Sequence, residues 1–201
     1  MIKKICLTLL LIANISHPLH AMQAKTDDNY QINASLFMLA NFTNDSPHYG
    51  HLEISKAINP TSLIGVEFLT WQYSNPLGIP YGPSYESPEE AFPGTVKDTG
   101  LGVSYQNFFH NQFFYKLHAT AFHQSFLDEN LDVIQSGFKL FMVARTGYKW
   151  TFKKDKFFIE PSIAVTTWPI NTNMPEEFQE VEDKWPKYFL FEPGLNIGFR
   201  F

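Results

Sequence analysis

Gly137-Phe138-Lys139-Leu140-Phe141-Met142-Val143-Ala144-Arg145-Thr146-Gly147-Tyr148-Lys149 reads with a period of two. Phe138, Leu140, Met142, Ala144, Thr146 and Tyr148 share one parity, and Gly137, Lys139, Arg145, Gly147 and Lys149 share the other. Successive side chains of a strand point to opposite sides, so one face of this segment suits hydrocarbon and the other suits water. No helical stripe of comparable length competes with it.

Working outward, seven further segments repeat the pattern. Upstream lie residues 30–41, 49–58, 63–73, 99–109 and 113–125; downstream lie a segment from Phe157 and a last one ending at Phe201. Each is close to the ~9–11 residues that a tilted strand needs to cross a bilayer. In the first, Tyr30, Ile32, Ala34, Leu36, Met38 and Ala40 oppose Gln31, Asn33, Ser35 and Asn41. The third blurs at Leu69-Thr70-Trp71, which suggests a bulge or a membrane edge. In the last, Phe189, Phe191, Leu195, Ile197, Phe199 and Phe201 oppose Glu192, Asn196 and Arg200. Pro161 and Pro193 fall inside the last two segments, where proline is expected at a bulge or near a rim.

The links alternate in length. Those at 59–62, 110–112 and 152–156 are short, those at 74–98 and 168–187 are long, and 128–135 is intermediate. An even strand number with short turns on one rim and longer loops on the other predicts an all-β fold, an eight-stranded antiparallel up-and-down transmembrane β-barrel. In hydrocarbon every backbone polar group must be paired, so strands span only by closing on themselves. Aromatics should then gather at the lipid–water boundaries, with Trp71, Tyr73, Trp168 and Trp185 toward the long-loop rim and Tyr148, Trp150, Phe157 and Phe201 toward the other. Lys56 has lipid-facing parity beside a turn, from which it can snorkel to the interface.

The N-terminus has two lysines, an apolar run over residues 5–15, and a break at Ser16–Ala21. It predicts a signal peptide over residues 1–21, with cleavage as late as residue 24, and a barrel domain over 25–201. The run is too short for a spanning helix. The single cysteine, Cys6, belongs to the leader, so the mature chain has neither disulfide nor thiolate chemistry. A net charge of −5 offers no basic stripe for nucleic acid.

The C-terminal stretch Phe191-Glu192-Pro193-Gly194-Leu195-Asn196-Ile197-Gly198-Phe199-Arg200-Phe201 resembles the terminal strand by which outer-membrane barrels are recognised for insertion. That family has a final aromatic preceded by apolar residues at alternate positions, and Leu195, Ile197, Phe199 and Phe201 match. With the leader and the eight segments, the chain looks like a small barrel of the OmpA, OmpX or OmpW kind. The resemblance implies a location in the cell outer membrane, with outer-membrane lipids and the barrel assembly machinery as partners.

Parity sends Glu53, Glu67, Lys116, His118, Lys139, Arg145, Glu160, Glu192 and Arg200 into the lumen. Charges of both signs in a confined space should pair, because an unpaired buried charge is costly. Glu160 with Lys139 or Arg145 is the expected pair, and a plugged lumen with a structural or surface-interaction role is the expected outcome. A narrow pore for small solutes is the alternative. An outer-leaflet lipid-modifying enzyme is the second: His123 and Ser125 share a strand face and resemble the His-x-Ser pair of the outer-membrane lipid A deacylases. Those enzymes have Asn after the serine where this chain has Phe126, and the only carboxylate nearby is the loop residue Glu129. A soluble exported sandwich leaves Phe201 and the two unequal rims unexplained.

The long links carry Glu86, Glu89, Glu90 and Asp98, and Glu176, Glu177, Glu180, Glu182 and Asp183. They lack fixed ligand spacing, so solvated loops, no metal and no cofactor are expected. Tyr81, Tyr85 and Phe92 among Pro80, Pro83, Pro88 and Pro93 offer a contact surface, so an extracellular ligand would meet the 74–98 and 168–187 loops.

Overall fold

The computed structural model describes residues 29–43, 46–76 and 91–201. The expected leader, and Pro80, Tyr81, Pro83, Tyr85, Glu86, Pro88, Glu89 and Glu90 of the third link, lie outside the described residues. The strands are β1 (Tyr30–Ser35), β2 (Gly50–Asn59), β3 (Ser62–Tyr73), β4 (Thr95–His110), β5 (Phe113–Leu127), β6 (Val133–Tyr148), β7 (Trp150–Phe152), β8 (Phe157–Thr172) and β9 (Tyr188–Arg200). The pairing is antiparallel throughout. From β6 the hydrogen-bonded order runs back to β1, on to β9, β8 and β7, and β6 also pairs with β8, so the sheet closes into a ring.

Among the described residues the nine strands make eight staves, because β6 and β7 are one stave interrupted at Lys149. Gly147 lies opposite Ser162 and Trp150 opposite Ile159, which is a single continuous register. In that register Pro161 stands opposite Tyr148, where the ladder pauses, and has no N–H to give it. Pro193 also avoids harm: the β1–β9 ladder runs only from Gln31–Arg200 to Ser35–Asn196, so Pro193 sits beyond it on an unpaired flank.

Five local expectations change. The first segment is a strand only to Ser35; Leu36–Phe42 form a 3-10 helix instead. Ser35 caps it, accepting from the Phe37 N–H at 3.2 Å, and Asn41 anchors it by donating to the Tyr49 carbonyl at 2.7 Å while accepting from the Tyr49 N–H at 2.8 Å. β3 pairs with β4 without a register shift through residues 69–71, so the expected bulge there is absent. Among the register shifts of the sheet, one lies in β9: Ala164 pairs with Glu192 and Val165 with Leu190, leaving Phe191 extra at φ 63°. The slip turns Phe189 inward opposite Thr166 and Leu190 outward, reversing the expected parity above Phe191. β4 begins at Thr95 and β8 continues to Thr172, so Asp98 and Trp168 belong to strands rather than links, and a helix at Glu176–Glu182 shortens the last link further.

The two faces of the ring are inverted relative to a water-soluble protein. Leu52, Ile54, Val66, Leu101, Val103 and Leu117 stand on the outside, with Leu101 70% exposed, while Glu53, Glu67, Asp98, Lys116, Lys149 and Glu160 are buried inside. Tyr148, Trp150, Phe157 and Phe201 contribute to the expected aromatic set at the short-turn rim, with Phe113 packed on Tyr148 at 4.8 Å. The long-loop rim departs from expectation, because Tyr73 and Trp168 turn inward. Tyr73 donates to Asp98 at 3.3 Å, and the Trp168 indole donates to Glu182 at 2.7 Å.

Candidate functional site

The lumen is built in tiers, each drawn from strands that face one another across the ring. Nearest the short turns, Lys149 pairs with Glu160 at 3.0 Å and donates to Gln31 at 2.7 Å. Gln106 reaches across from β4 to donate to Glu160 at 2.9 Å. The Lys149 ammonium also sits 3.9 Å from the centre of the Phe158 ring. One tier up, Glu53 is bound by Lys116 from the opposite wall, by Ser104 at 2.6 Å and by Asn33 at 3.3 Å. Such charge-assisted bonds tie β1, β2, β4 and β5 together through the interior.

Above them Glu67 accepts from Thr120 at 2.5 Å, and its other oxygen meets His118 Nδ1 at 2.7 Å and His51 Nε2 at 3.4 Å. Arg145 donates to Ser162 at 2.9 Å and lies 3.6 Å from Glu192. Toward the long-loop rim Asp98, completely buried, pairs with Lys139 and accepts from Gln124 at 2.9 Å. The helix closes that end: Phe178 is buried against Phe92, Val96 and Phe126, with Tyr73, Met174 and Val181 packed around them.

Of the nine residues expected in the lumen, Glu53, Glu67, Lys116, His118, Lys139 and Glu160 are buried within the ring, Arg145 and Glu192 lie 3.6 Å from each other, and Arg200 stands in register with Gln31. The partners differ from expectation. Glu160 pairs with Lys149, not with Lys139 or Arg145, because Lys149 lies opposite it in the β6–β7 stave; Lys139 pairs with Asp98 and Arg145 with Glu192. Two lumen charges lie outside the expected set: Lys149, although it shares the parity of Lys139 and Arg145, and Asp98, which falls within loop-like composition. Glu182, expected as a solvated loop carboxylate, is buried under Trp168. His123 and Ser125 are on the outward face, and among the described residues neither side chain is hydrogen-bonded and no carboxylate lies within reach of His123.

Between the His118 tier and the upper cap lies a cavity of about 530 Å³. Its floor is polar, with His51, Glu67, His118, Arg145, Glu192 and Asn196, and its walls are apolar, with Leu36, Phe37, Leu39, Leu69, Phe141, Val143 and Leu195. It reaches the wall where the β1–β9 ladder stops, since Ser35–Leu39 border it on one side of that seam and Glu192–Asn196 on the other. Tyr49, in the link before β2, also borders it; burial, reinforced by the Glu192 charge, raises its hydroxyl well above the ordinary range, so it is present as a neutral phenol. His51, Glu53 and Glu67 each offer a ligand atom within 4.8 Å of one another. Their carboxylate oxygens are already occupied by Lys116, Ser104, Thr120 and the histidines, which suits an ion-pair network better than a metal.

Neither a family model, a curated protein nor a solved structure matches this chain.

Proposed function

We propose that the chain is a transmembrane β-barrel of the bacterial outer membrane, of the small OmpA, OmpX or OmpW kind, with a plugged lumen and a structural or surface-interaction role. The observation that carries this reading is the inverted polarity of a sheet that closes into a ring. Leu101 and Val103 are exposed outside while Glu53 and Lys116 are 1% exposed inside. Water around such a surface would meet a continuous apolar belt far larger than soluble monomers tolerate. A bilayer makes the belt favourable and demands the closed hydrogen bonding that the ring supplies.

A conducting pore is less well supported, because tiers centred on Glu160, Glu53, Glu67 and Asp98 cross the lumen and the Phe178 helix caps it. The outward positions of His123 and Ser125 do not favour catalysis there. The assembly machinery would engage β9, and an extracellular partner would engage the 74–98 and 168–187 links.

The test is the gel mobility of the outer-membrane fraction in SDS with and without boiling. A fast-migrating form that converts on heating supports the barrel; a soluble periplasmic protein with one mobility overturns it.

A further inference from the structure

A ribbon of neighbouring aromatic rings runs along the short-turn rim and crosses from β1 to β9. Tyr30 meets Phe201 at 6.0 Å, Phe201 meets Phe199 at 6.4 Å, Phe199 meets Phe157 at 5.1 Å, and Phe157 meets Phe152 at 6.0 Å. Tyr30, Phe152, Phe157 and Phe201 are exposed. Three lysine ammoniums lie over the ribbon: Lys56 is 5.3 Å from the centre of Tyr30, Lys156 5.9 Å from Phe199, and Lys153 5.3 Å from Phe157. A ring attracts an ammonium through its face and leaves N–H donors for an oxygen acceptor. Among the described residues no salt bridge engages Lys56 or Lys153.

The turn that supplies two of these lysines is held in a costly shape. Lys153, Lys154 and Asp155 have φ of 51°, 61° and 64°, left-handed at three successive residues with side chains. Thr151 donates its hydroxyl to Asp155 at 2.6 Å, which engages the one acid of the turn, and the Arg200 N–H donates to the Lys156 carbonyl at 2.7 Å. Strain maintained in this way points to a position that is used. The opposite rim has the other sign: Glu129, Asp132, Glu176, Glu177, Glu180 and Asp183 are exposed there, against Lys97, Lys184 and Lys187.

We propose that this lysine-topped ribbon is a binding site for an anionic glycerophospholipid. Its phosphodiester sits between Lys153 and Lys156, which lie over neighbouring rings, and Lys56 adds attraction from β2. The acyl chains follow the apolar outer wall, where Ile163, Leu195 and Ile197 are exposed. A zwitterionic head fits less well, because it brings an ammonium of its own toward the lysines. Basic residues at a membrane surface favour anionic lipid in this way, and the acidic far rim does not. The site rests on the barrel reading, since its ligand belongs to a surrounding bilayer.

The experiment folds the full mature chain in dodecyldimethylamine oxide micelles holding equal amounts of phosphatidylglycerol and phosphatidylcholine with matched acyl chains. Native mass spectrometry then reads which lipid the protein retains. Retention of phosphatidylglycerol is expected to exceed that of phosphatidylcholine by about tenfold, the equivalent of ~1.4 kcal/mol. K153Q combined with K156Q should bring the two lipids close to parity, whereas K153R with K156R should keep the preference. K97Q with K184Q removes the same charge near the other rim and should leave it unchanged. Equal retention by the parent chain, or a preference that survives K153Q with K156Q, would overturn the site. So would an equal loss in K97Q with K184Q, which would make net charge alone responsible, and so would displacement of the lipid by inorganic phosphate, which would make a free anion the ligand. Heat-dependent mobility is measured on the same sample: its absence counts against the barrel, while intact mobility without lipid preference counts only against this proposal.

Discussion

At the scale of single residues, the chain holds buried charges only where another group answers them. Glu53 and Lys116 are each 1% exposed and bound to one another across the lumen. Glu53→Gln leaves the Lys116 ammonium buried without its counter-charge, which typically costs ~3–5 kcal/mol. Urea unfolding in lipid vesicles, read by loss of the unboiled gel band, should show that loss. E53L combined with K116M should regain most of it, because a buried pair replaced by apolar groups of similar volume is often neutral. If the double variant is as unstable as the single, the pair is not the source of the effect. Lys149→Met presents the converse case, since Glu160 would keep Gln106 as a donor but lose its 3.0 Å cation. Its cost should therefore fall below that of Glu53→Gln in the same assay.

At the scale of elements, glycines set how closely staves approach. A Cβ on Gly198 would lie 2.2 Å from the Phe158 ring and 2.5 Å from the Ile32 carbonyl. Gly198→Ala should destabilise the barrel by ~1–3 kcal/mol through overpacking, and a urea midpoint equal to that of the parent chain would show that the ring can move aside. Period-two parity made the staves legible in the sequence, because alternation reports directly on which face each residue takes. It misled where that relation fails. Leu36, Met38 and Ala40 continue the alternation, yet Ser35 capping and the Asn41–Tyr49 bonds turn the backbone into a 3-10 helix. One extra residue at Phe191 reverses every face above it, and period alone cannot place such a slip. The inward list was legible and its partners were not: Lys116 finds Glu53 three staves away, a match set by the closure of the ring and its stagger, which no local pattern contains.

At the scale of the whole molecule, stability depends on a seam that joins the two ends of the ring. β4 and β5 pair from Thr95–Leu127 to His110–Phe113, whereas β1 holds β9 only over residues 31–35. Beyond that ladder, Tyr30 and Phe201 exchange two backbone hydrogen bonds of 3.0 and 2.9 Å, and their rings stack at 6.0 Å. Phe201 is thus the last rung of a short ladder, and it joins segments at the greatest sequence separation in the fold, where chain entropy opposes contact most. Deleting Phe201 removes both bonds and the stacking without touching the lumen tiers. The expected result is a lower urea midpoint and a smaller heat-modifiable fraction, with the conductance of the barrels that do fold still at the level of the bare bilayer. F201Y, which keeps the ring and both backbone bonds, should restore the folded fraction. A truncated chain that inserts and resists urea as well as the parent would mean that residues 31–35 hold the ring closed alone.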